Sequence, residues 1–176
     1  NGRGIQCATS HSLGQNFSKS FDIKFIDKDE KEKFVWQNSW GLSTRSIGIA
    51  IMLHSDNKGV VIPPKVAKNK IVIIPIFSKE GKNKIIAKCK ELVKKLTAYD
   101  PILDNRENYT PGWKFNEWEL KGIPIRLELG PKDLKLSQVI LVRRDNGKKE
   151  SVKISKLSKK VESTLVNIQS SLLDSA

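Results

Sequence analysis

The pattern of apolar and polar positions is clearest in the second half of the chain. Residues 71–77 form a short β-branched run, which is typical of a strand that is covered on both faces. Between Lys84 and Leu96 apolar residues recur on one face of a helix, while lysines occupy the opposite face. The other predicted elements are strands at 123–129, 138–143 and 151–154, a hairpin turn at 145–147 and an amphipathic helix that begins at Leu157. This order of elements predicts an α/β domain with a mixed sheet.

The first half shows weaker periodicity. Short apolar pieces within residues 21–34 flank a charged turn and predict two antiparallel strands. The continuous apolar run Ser46–Leu53 fits either a buried helix or a central strand, and its length does not decide between them. The Pro63–Pro64 pair then interrupts regular structure, and the charge density rises after it. We therefore predict two domains, at residues 1–64 and 65–176.

The positive charge is concentrated in the second predicted domain. The whole chain carries a formal net charge of +13, of which +2 falls in residues 1–60 and +11 in residues 61–176. Such an excess favours a polyanionic partner, either nucleic acid or an acidic membrane surface. A membrane-surface protein would need a basic amphipathic helix with exposed aromatic residues, whereas the aromatic residues here lie mostly in loop-like or strand-like contexts. The charge therefore favours nucleic acid.

Cysteine and histidine are too sparse for a zinc site or a disulfide framework. Cys7 and Cys89 are far apart, and only His11 and His54 could help them bind a metal. We expect no metal site and a reducing compartment. No apolar run approaches the roughly 18 residues of a membrane span, and the N-terminus lacks a signal pattern, so we expect a soluble, cytoplasmic protein with no membrane contact.

Two segments of the first half are rich in residues that a fold alone would not require. Gly4–His11 and Trp36–Gly48 together hold hydroxyl groups, amides, a histidine and one arginine beside tryptophans. Such groups suit a small polar ligand that carries a phosphate, and Arg45 is the natural phosphate clamp. For Trp36 and Trp40, packing in a core and contact with a substrate remain equally open.

A third segment, Tyr109–Asp133, alternates aromatic and cationic residues. Its members are Trp113, Lys114, Phe115, Trp118, Lys121, Arg126 and Lys132. Aromatic faces stack on bases, and cations donate to phosphates and base edges, so the segment suits single-stranded RNA. Trp118 is more typical of a core residue than of a base platform.

Together the three segments resemble prolyl-tRNA synthetase of the eukaryotic and archaeal type, and the likeness runs from about Gly4 to Ser171. The resemblance implies a partial, antiparallel segment of the class II catalytic domain followed by a mixed-sheet anticodon-binding domain. It also implies an ATP-dependent ligase that attaches proline to its tRNA, with Mg²⁺ accompanying ATP and with a homodimer as the complete enzyme.

The resemblance implies two sets of ligand-binding residues and no catalytic side chain. The set for ATP and proline is Gln6, Thr9, His11, Ser43, Thr44 and Arg45. The set for the anticodon is Phe115, Glu119, Arg126 and Lys132. A carboxylate at position 119 can accept from the N1 and N2 donors of guanine, although a surface ion pair between Glu119 and a nearby lysine is the alternative.

The chain departs from the usual family pattern at Cys7, Asn105 and Glu117, where alanine, aspartate and histidine are usual. Glu117 puts a negative charge near the expected RNA face. Because the first two class II motifs are absent from this sequence, we expect the chain alone to be inactive. The rival interpretations are a stand-alone RNA-binding module without synthetase activity and another class II synthetase, for threonine, glycine or histidine.

Overall fold

The computed structural model describes residues 4–77 and 81–175, and the chain divides into two compact units between Met52 and Leu53. The strands are β1 (Ala8–Gly14), β2 (Lys24–Ile26), β3 (Glu32–Phe34), β4 (Gln37–Leu42), β5 (Ile71–Pro75), β6 (Ile102–Leu103), β7 (Ile125–Leu129), β8 (Gln138–Arg143) and β9 (Lys149–Lys153). The helices are α1 (Asn16–Ser20), α2 (Arg45–His54), α3 (Lys82–Lys95), α4 (Pro111–Leu120), α5 (Pro131–Lys135) and α6 (Leu157–Asp174).

The first unit is built from two antiparallel strand pairs. Strand β1 pairs with β4, and β2 pairs with β3, which confirms the two strands predicted within residues 21–34. The Ser18 hydroxyl, which is fully buried, donates to the carbonyl of Val35 at 2.7 Å and ties α1 to the end of β3. The run Ser46–Leu53, for which the sequence left helix and strand open, lies in helix α2, and Ile49 is its buried residue.

The second unit contains the mixed sheet that the sequence predicted, and this sheet has five strands in the order β6-β5-β7-β8-β9. Strand β5 runs parallel to both β6 and β7, while β7, β8 and β9 are joined in antiparallel order. All five residues of β5 and of β7 are buried, which agrees with strands that are covered on both faces.

One face of this sheet is a conventional apolar core beneath α3 and α6. Ile71, Ile73 and Leu127 point to this face and pack with Cys89 of α3 and Val161 of α6. The helix face predicted from Lys84 to Leu96 supplies the buried residues Ile85, Cys89 and Leu92 of α3, which recur about once per helical turn, so the amphipathic pattern and the burial agree.

The opposite face of the sheet carries polar residues and is covered in part by α4. Val72 and Ile74 of β5 pack there against Phe115 and Trp118 of α4. The neighbouring strand β7 places charged Arg126 and Glu128 opposite them, because the register pairs positions 72 with 126 and 74 with 128.

Helix α4 corrects the view that the aromatic residues lie in loops or strands. Trp113, Phe115 and Trp118 all belong to this ten-residue helix. Thr110 caps it by accepting a hydrogen bond from the backbone N–H of Trp113, and Pro111 occupies the first helical turn, where its missing N–H costs nothing.

The second unit begins earlier than the Pro63–Pro64 pair. Asp56 is bound by Arg144, and the backbone N–H groups of Val60 and Ile62 donate to the carbonyls of Leu120 and Gly122. The segment before the proline pair is therefore docked on the turn between α4 and β7. The functional division at residues 64 and 65 stays a prediction.

Candidate nucleic-acid interface

Three of the four predicted anticodon residues meet on the polar face of the sheet. Arg126 projects from β7, and its guanidinium carbon lies 4.3 Å from the ring centre of Phe115 on α4. The Arg126 Nη1 group donates to Glu119 Oε1 at 3.0 Å. The three side chains therefore form one cluster in which the Arg126 guanidinium contacts both the aromatic ring and the carboxylate.

Glu128 and Lys149 belong to the same cluster, and the sequence analysis missed both. The Nε group of Arg126 donates to Glu128 Oε1 at 3.0 Å, so the guanidinium is fixed between two carboxylates. Lys149 Nζ lies 3.7 Å from the same Glu128 oxygen and 5.9 Å from the ring centre of Phe115. The alternation of side chains along β7 and β9 would have placed residues 126, 128 and 149 on one face, but only if the register of the strands had been known.

The ion pair between Arg126 and Glu119 differs from the lysine pair that was the alternative for Glu119. The Arg126 side chain is only 7% exposed, whereas the Glu119 side chain is 23% exposed. The gap beside this pair holds about 10 Å³, which is room for roughly one water molecule. A base therefore cannot reach the inner side of the pair without moving Glu119.

Lys132 lies apart from the other three residues. It is exposed on the short helix α5, which follows directly after β7. Among the described residues no hydrogen bond or ion pair links its side chain to Phe115, Glu119 or Arg126. The predicted contacts therefore form two groups along the direction of β7: the cluster of Phe115, Glu119 and Arg126, and Lys132 after the end of the strand.

In the first unit, four of the six residues expected to bind ATP and proline line one cavity. Gln6, Thr9, Ser43 and Arg45 surround a space of about 260 Å³. Arg45 is the first residue of α2, and its backbone N–H lies 3.4 Å from the Ser43 hydroxyl oxygen, which accepts from it. The exposed N-terminus of a ten-residue helix and an arginine side chain at one cavity suit a phosphate group.

His11 and Thr44 do not line this cavity. His11 lies further along β1, where its backbone is opposite Ser39 of β4. Trp36 and Trp40, whose role was open between core packing and substrate contact, are 78% and 79% exposed and are not packed in a core of the described chain.

A sequence profile of the family described as "Anticodon binding domain" matches residues 70–164, which is more than half of the chain. The chain belongs to this family. The matched region begins just before β5 and ends within α6, so it contains the whole five-stranded sheet of the anticodon-binding domain.

Relatives that match nearly the whole chain are proline–tRNA ligases. The chain is 51% identical to the proline–tRNA ligase of Natranaerobius thermophilus and 49% identical to proline–tRNA ligase 2 of Bacillus anthracis, over 99% of its length. It is 46% identical to the bifunctional glutamate/proline–tRNA ligase of Drosophila melanogaster, again over 99% of the chain. The chain spans 36%, 34% and 11% of the lengths of these relatives. It is therefore homologous to one piece of a proline–tRNA ligase.

A second polar cluster in the anticodon-binding domain has a structural role and corrects the assignment of Lys114. Lys114 was expected to donate to RNA, but its side chain is 2% exposed. Its Nζ donates to the carbonyl of Asp104 at 3.1 Å. Asp104 also accepts from Trp118 Nε1 at 2.8 Å, and the partly buried Trp118 packs against the small core of Val72, Ile74 and Ile123, in line with the expectation that it is a packing residue.

Glu117 also belongs to this second cluster. Its carboxylate accepts from Arg106 and, at 2.7 Å, from Lys121. Two cations therefore neutralise the charge that was expected to face RNA, and the hydrogen bonds from Arg106 and then Lys121 lower the pKa of Glu117. Burial opposes ionisation of Asp104, but hydrogen bonds from Arg106 and Trp118 outweigh it and hold the pKa of that carboxyl far below its usual range.

Within residues 4–77 and 81–175, no three His, Cys, Asp or Glu residues are grouped so that they could hold a metal ion. None of the helices within those ranges is both long enough and apolar enough to cross a membrane. Cys7 and Cys89 are both free thiols.

Proposed function

We propose that the second unit reads the anticodon of a proline tRNA through Phe115, Glu119, Arg126 and Lys132. The observation that carries this proposal is the contact of Arg126 with both Phe115 and Glu119 on the partly open face of the sheet. An aromatic ring can stack on a splayed base while a carboxylate and a guanidinium hydrogen-bond to its edges.

Guanine is the base that this cluster fits. Proline codons begin with CC, so every proline anticodon carries two adjacent guanines. Glu119 can accept from N1 and N2 of guanine, and Arg126 or Lys132 can donate to O6 and N7. Among the described residues, Glu119 Oε2 and Arg126 Nη2 take part in no hydrogen bond, so each side chain has one atom with unused hydrogen-bonding capacity.

Arg126 and Lys132 contact different nucleotides in this proposal. Gly130, the residue directly after β7, is four residues from Arg126, which corresponds to about 13 Å along a strand, and Lys132 follows it on α5. That separation exceeds the width of one base. One guanine is therefore read at the Arg126 cluster and its neighbour near Lys132.

The test compares protein variants against two RNA stem-loops at one salt concentration. Glu119→Gln removes the negative charge and replaces one acceptor oxygen with an amide donor, while it keeps the side-chain shape. Lys94→Ala is a control because Lys94 is an exposed lysine on α3, beneath the opposite face of the sheet. We expect Glu119→Gln to weaken binding of the proline stem-loop by about 1–3 kcal/mol and to leave binding of a stem-loop with both guanines replaced nearly unchanged.

Lys94→Ala should weaken both RNAs equally. If Glu119→Gln also weakened both RNAs equally, or if the unmodified protein bound both with the same affinity, the segment would be a basic RNA-binding surface and would not read the anticodon. That outcome would favour the stand-alone RNA-binding module.

We further propose that the protein to which this chain belongs is an ATP-dependent proline–tRNA ligase, and that Arg45 helps to hold the phosphates of ATP. The cavity lined by Gln6, Thr9, Ser43 and Arg45 supports this proposal. Mg²⁺ would arrive with ATP. A homodimer and a cytoplasmic location are the corresponding expectations for the complete enzyme.

Calorimetry of ATP binding tests the role of Arg45. Because a charge-assisted hydrogen bond to phosphate is worth about 1.5–3 kcal/mol, Arg45→Ala should weaken binding at least tenfold. Lys28→Ala is the control, since Lys28 is an exposed cation of the first unit outside the cavity. Equal affinities for all three proteins would contradict the assignment.

A further inference from the structure

Strand β9 carries a row of polar side chains on the same face as the Arg126 cluster. The register places Lys149 opposite Val142 and Ser151 opposite Ile140, and these two β8 residues lie opposite Arg126 and Glu128 of β7. Lys153 is opposite Gln138 at the far end of the strand. Because side chains alternate along a strand, positions 149, 151 and 153 share one face, and we call this row the β9 strip.

The β9 strip is open to solvent. Lys149, Ser151 and Lys153 are all exposed, and the Lys149 side chain is 57% accessible. Helix α4 covers β5 and β7 on this face, and Ile140, which lies beside the strip on β8, is only half-buried. Within the described part of the second unit, no helix lies over the strip.

The strip keeps its positive charge available. Lys153 forms no ion pair among the described residues, and Lys149 has only a 3.7 Å contact with Glu128, which already accepts a closer hydrogen bond from Arg126. The other face of β9 differs, since Glu150 there is paired with Lys160 of α6 at 2.7 Å. The two faces of one strand therefore differ in free charge.

The strip is continuous with the candidate base-reading cluster. Lys149 Nζ lies 5.9 Å from the ring centre of Phe115, so a base stacked on that ring would place its own backbone close to this lysine. Ser151 adds a hydroxyl donor between the two lysines. Lys153 lies at the end of the sheet where β7 passes into α5 and Lys132.

We propose that the β9 strip binds the sugar–phosphate backbone of the single-stranded RNA loop whose bases are read by Phe115, Glu119 and Arg126. This inference rests on the proposed function. Lys149 and Lys153 are four residues apart, about 13 Å along the strand, which is much farther than one phosphate group extends. The two lysines therefore contact two different phosphates, and together they orient the loop across the sheet from Arg126 towards Lys132.

The first experiment measures stem-loop affinity at several salt concentrations. Lys149→Ala and Lys153→Ala should each lower the slope of log affinity against log salt by about 1, and each should weaken the proline stem-loop and the guanine-replaced stem-loop by the same factor. Lys148→Ala is the matched control, because Lys148 precedes Lys149 and lines a polar cavity on the α6 side of the sheet. Its slope should stay close to that of the unmodified protein.

The second experiment identifies the phosphates. In a set of stem-loops, each loop phosphate in turn is replaced by an uncharged methylphosphonate. The loss of affinity caused by Lys149→Ala should disappear when one particular phosphate is replaced, and the loss caused by Lys153→Ala when a different phosphate is replaced. The reason is that removing a lysine costs no affinity once the phosphate that it contacts has lost its charge.

The two proposals fail in different ways. Losses for Lys149→Ala and Lys153→Ala that equal the loss for Lys148→Ala, at every methylphosphonate position, would overturn the β9 strip even if guanine discrimination persisted. If the unmodified protein bound the proline stem-loop and the guanine-replaced stem-loop with equal affinity, the proposal that the Arg126 cluster reads the anticodon would be wrong. A position-specific effect of Lys149→Ala would still support the β9 strip as a site for the RNA backbone.

Discussion

Arg144 and Asp56, which are 88 residues apart in sequence, form a bidentate ion pair in which Nη1 and Nη2 each donate to one carboxylate oxygen at 2.7 Å. Arg144 is buried and also donates to the carbonyls of Gly59 and Glu119. One guanidinium therefore fastens the segment before β5 to the end of α4 and to the β8–β9 turn.

This pair gives the second unit an acid-sensitive contact. The hydrogen bonds from Arg144 lower the pKa of Asp56 to about 2 from its ordinary value near 3.8. Because the folded-state pKa is depressed, the stabilisation is complete above about pH 4 and is lost as the pH falls towards 2. Asp56→Asn should therefore be less stable than the unmodified protein at pH 6, and the difference should shrink below pH 4. Urea unfolding at a series of pH values measures it, and a difference that did not change with pH would contradict the assignment.

Asp104 is expected to be the most sensitive charged residue of the second unit. Asp104→Ala would leave the buried Lys114 without its carboxylate and Trp118 Nε1 without its acceptor. Removing one member of such a buried pair costs about 3–5 kcal/mol. The exposed neighbour Asn105 provides the control, because Asn105→Ala should change the free energy of unfolding by less than about 0.5 kcal/mol. Similar unfolding midpoints for the two variants would show that the buried network contributes little.

Gly122 combines a left-handed backbone with close packing. Its φ is +72°, and a Cβ atom at this position would lie 2.5 Å from the carbonyl oxygen of Val60. Gly147 has a similar φ of +68°, but a Cβ atom there would meet open space. Gly147→Ala should therefore cost about 1 kcal/mol from backbone strain, and Gly122→Ala clearly more. Thermal unfolding of both variants measures the difference, and equal losses would mean that the loop segment around Val60 moves aside freely.

The two thiols should differ in reactivity. Burial raises the pKa of the Cys89 thiol to about 12, while Cys7 is exposed. Since the thiolate is the reactive form, an alkylating reagent at pH 8 should modify Cys7 in the folded protein and both thiols in urea. Mass spectrometry identifies the modified residue, and Cys7→Ser removes the fast reaction. Rapid modification of Cys89 without denaturant would show that α3 opens readily.

The elements that follow simple periods were predictable from the sequence, whereas α4 was not recognised. Its Thr110–Pro111 start is a good capping signal, but Gly112 and the closely spaced aromatic residues obscure the helical period. The same difficulty explains Lys114. A lysine between two aromatic residues has the composition of an RNA-binding segment, and only the packed structure shows that it turns inward to Asp104.

The candidate site was predictable in its residues but not in its arrangement. The resemblance singled out Phe115, Glu119 and Arg126, and the structure brings them together. Glu128 and Lys149 could not be assigned to the cluster from the sequence. Their place in it depends on the register of three strands, which is set by long-range pairing. For the same reason the docking of residues 56–62 was invisible to a search for proline and charge boundaries.

The turn at Asp145–Gly147 has an evolutionary consequence for the β9 strip. Side chains alternate on a strand, so insertion or deletion of one residue in this turn would shift β9 by one position and exchange its two faces. Lys149 and Lys153 would then turn towards α6, while Glu150 and the apolar Val152 would face the solvent side. Natural variation in this hairpin is therefore expected to add or remove residues in pairs, and a tolerated change of one residue should come with compensating substitutions along all of β9.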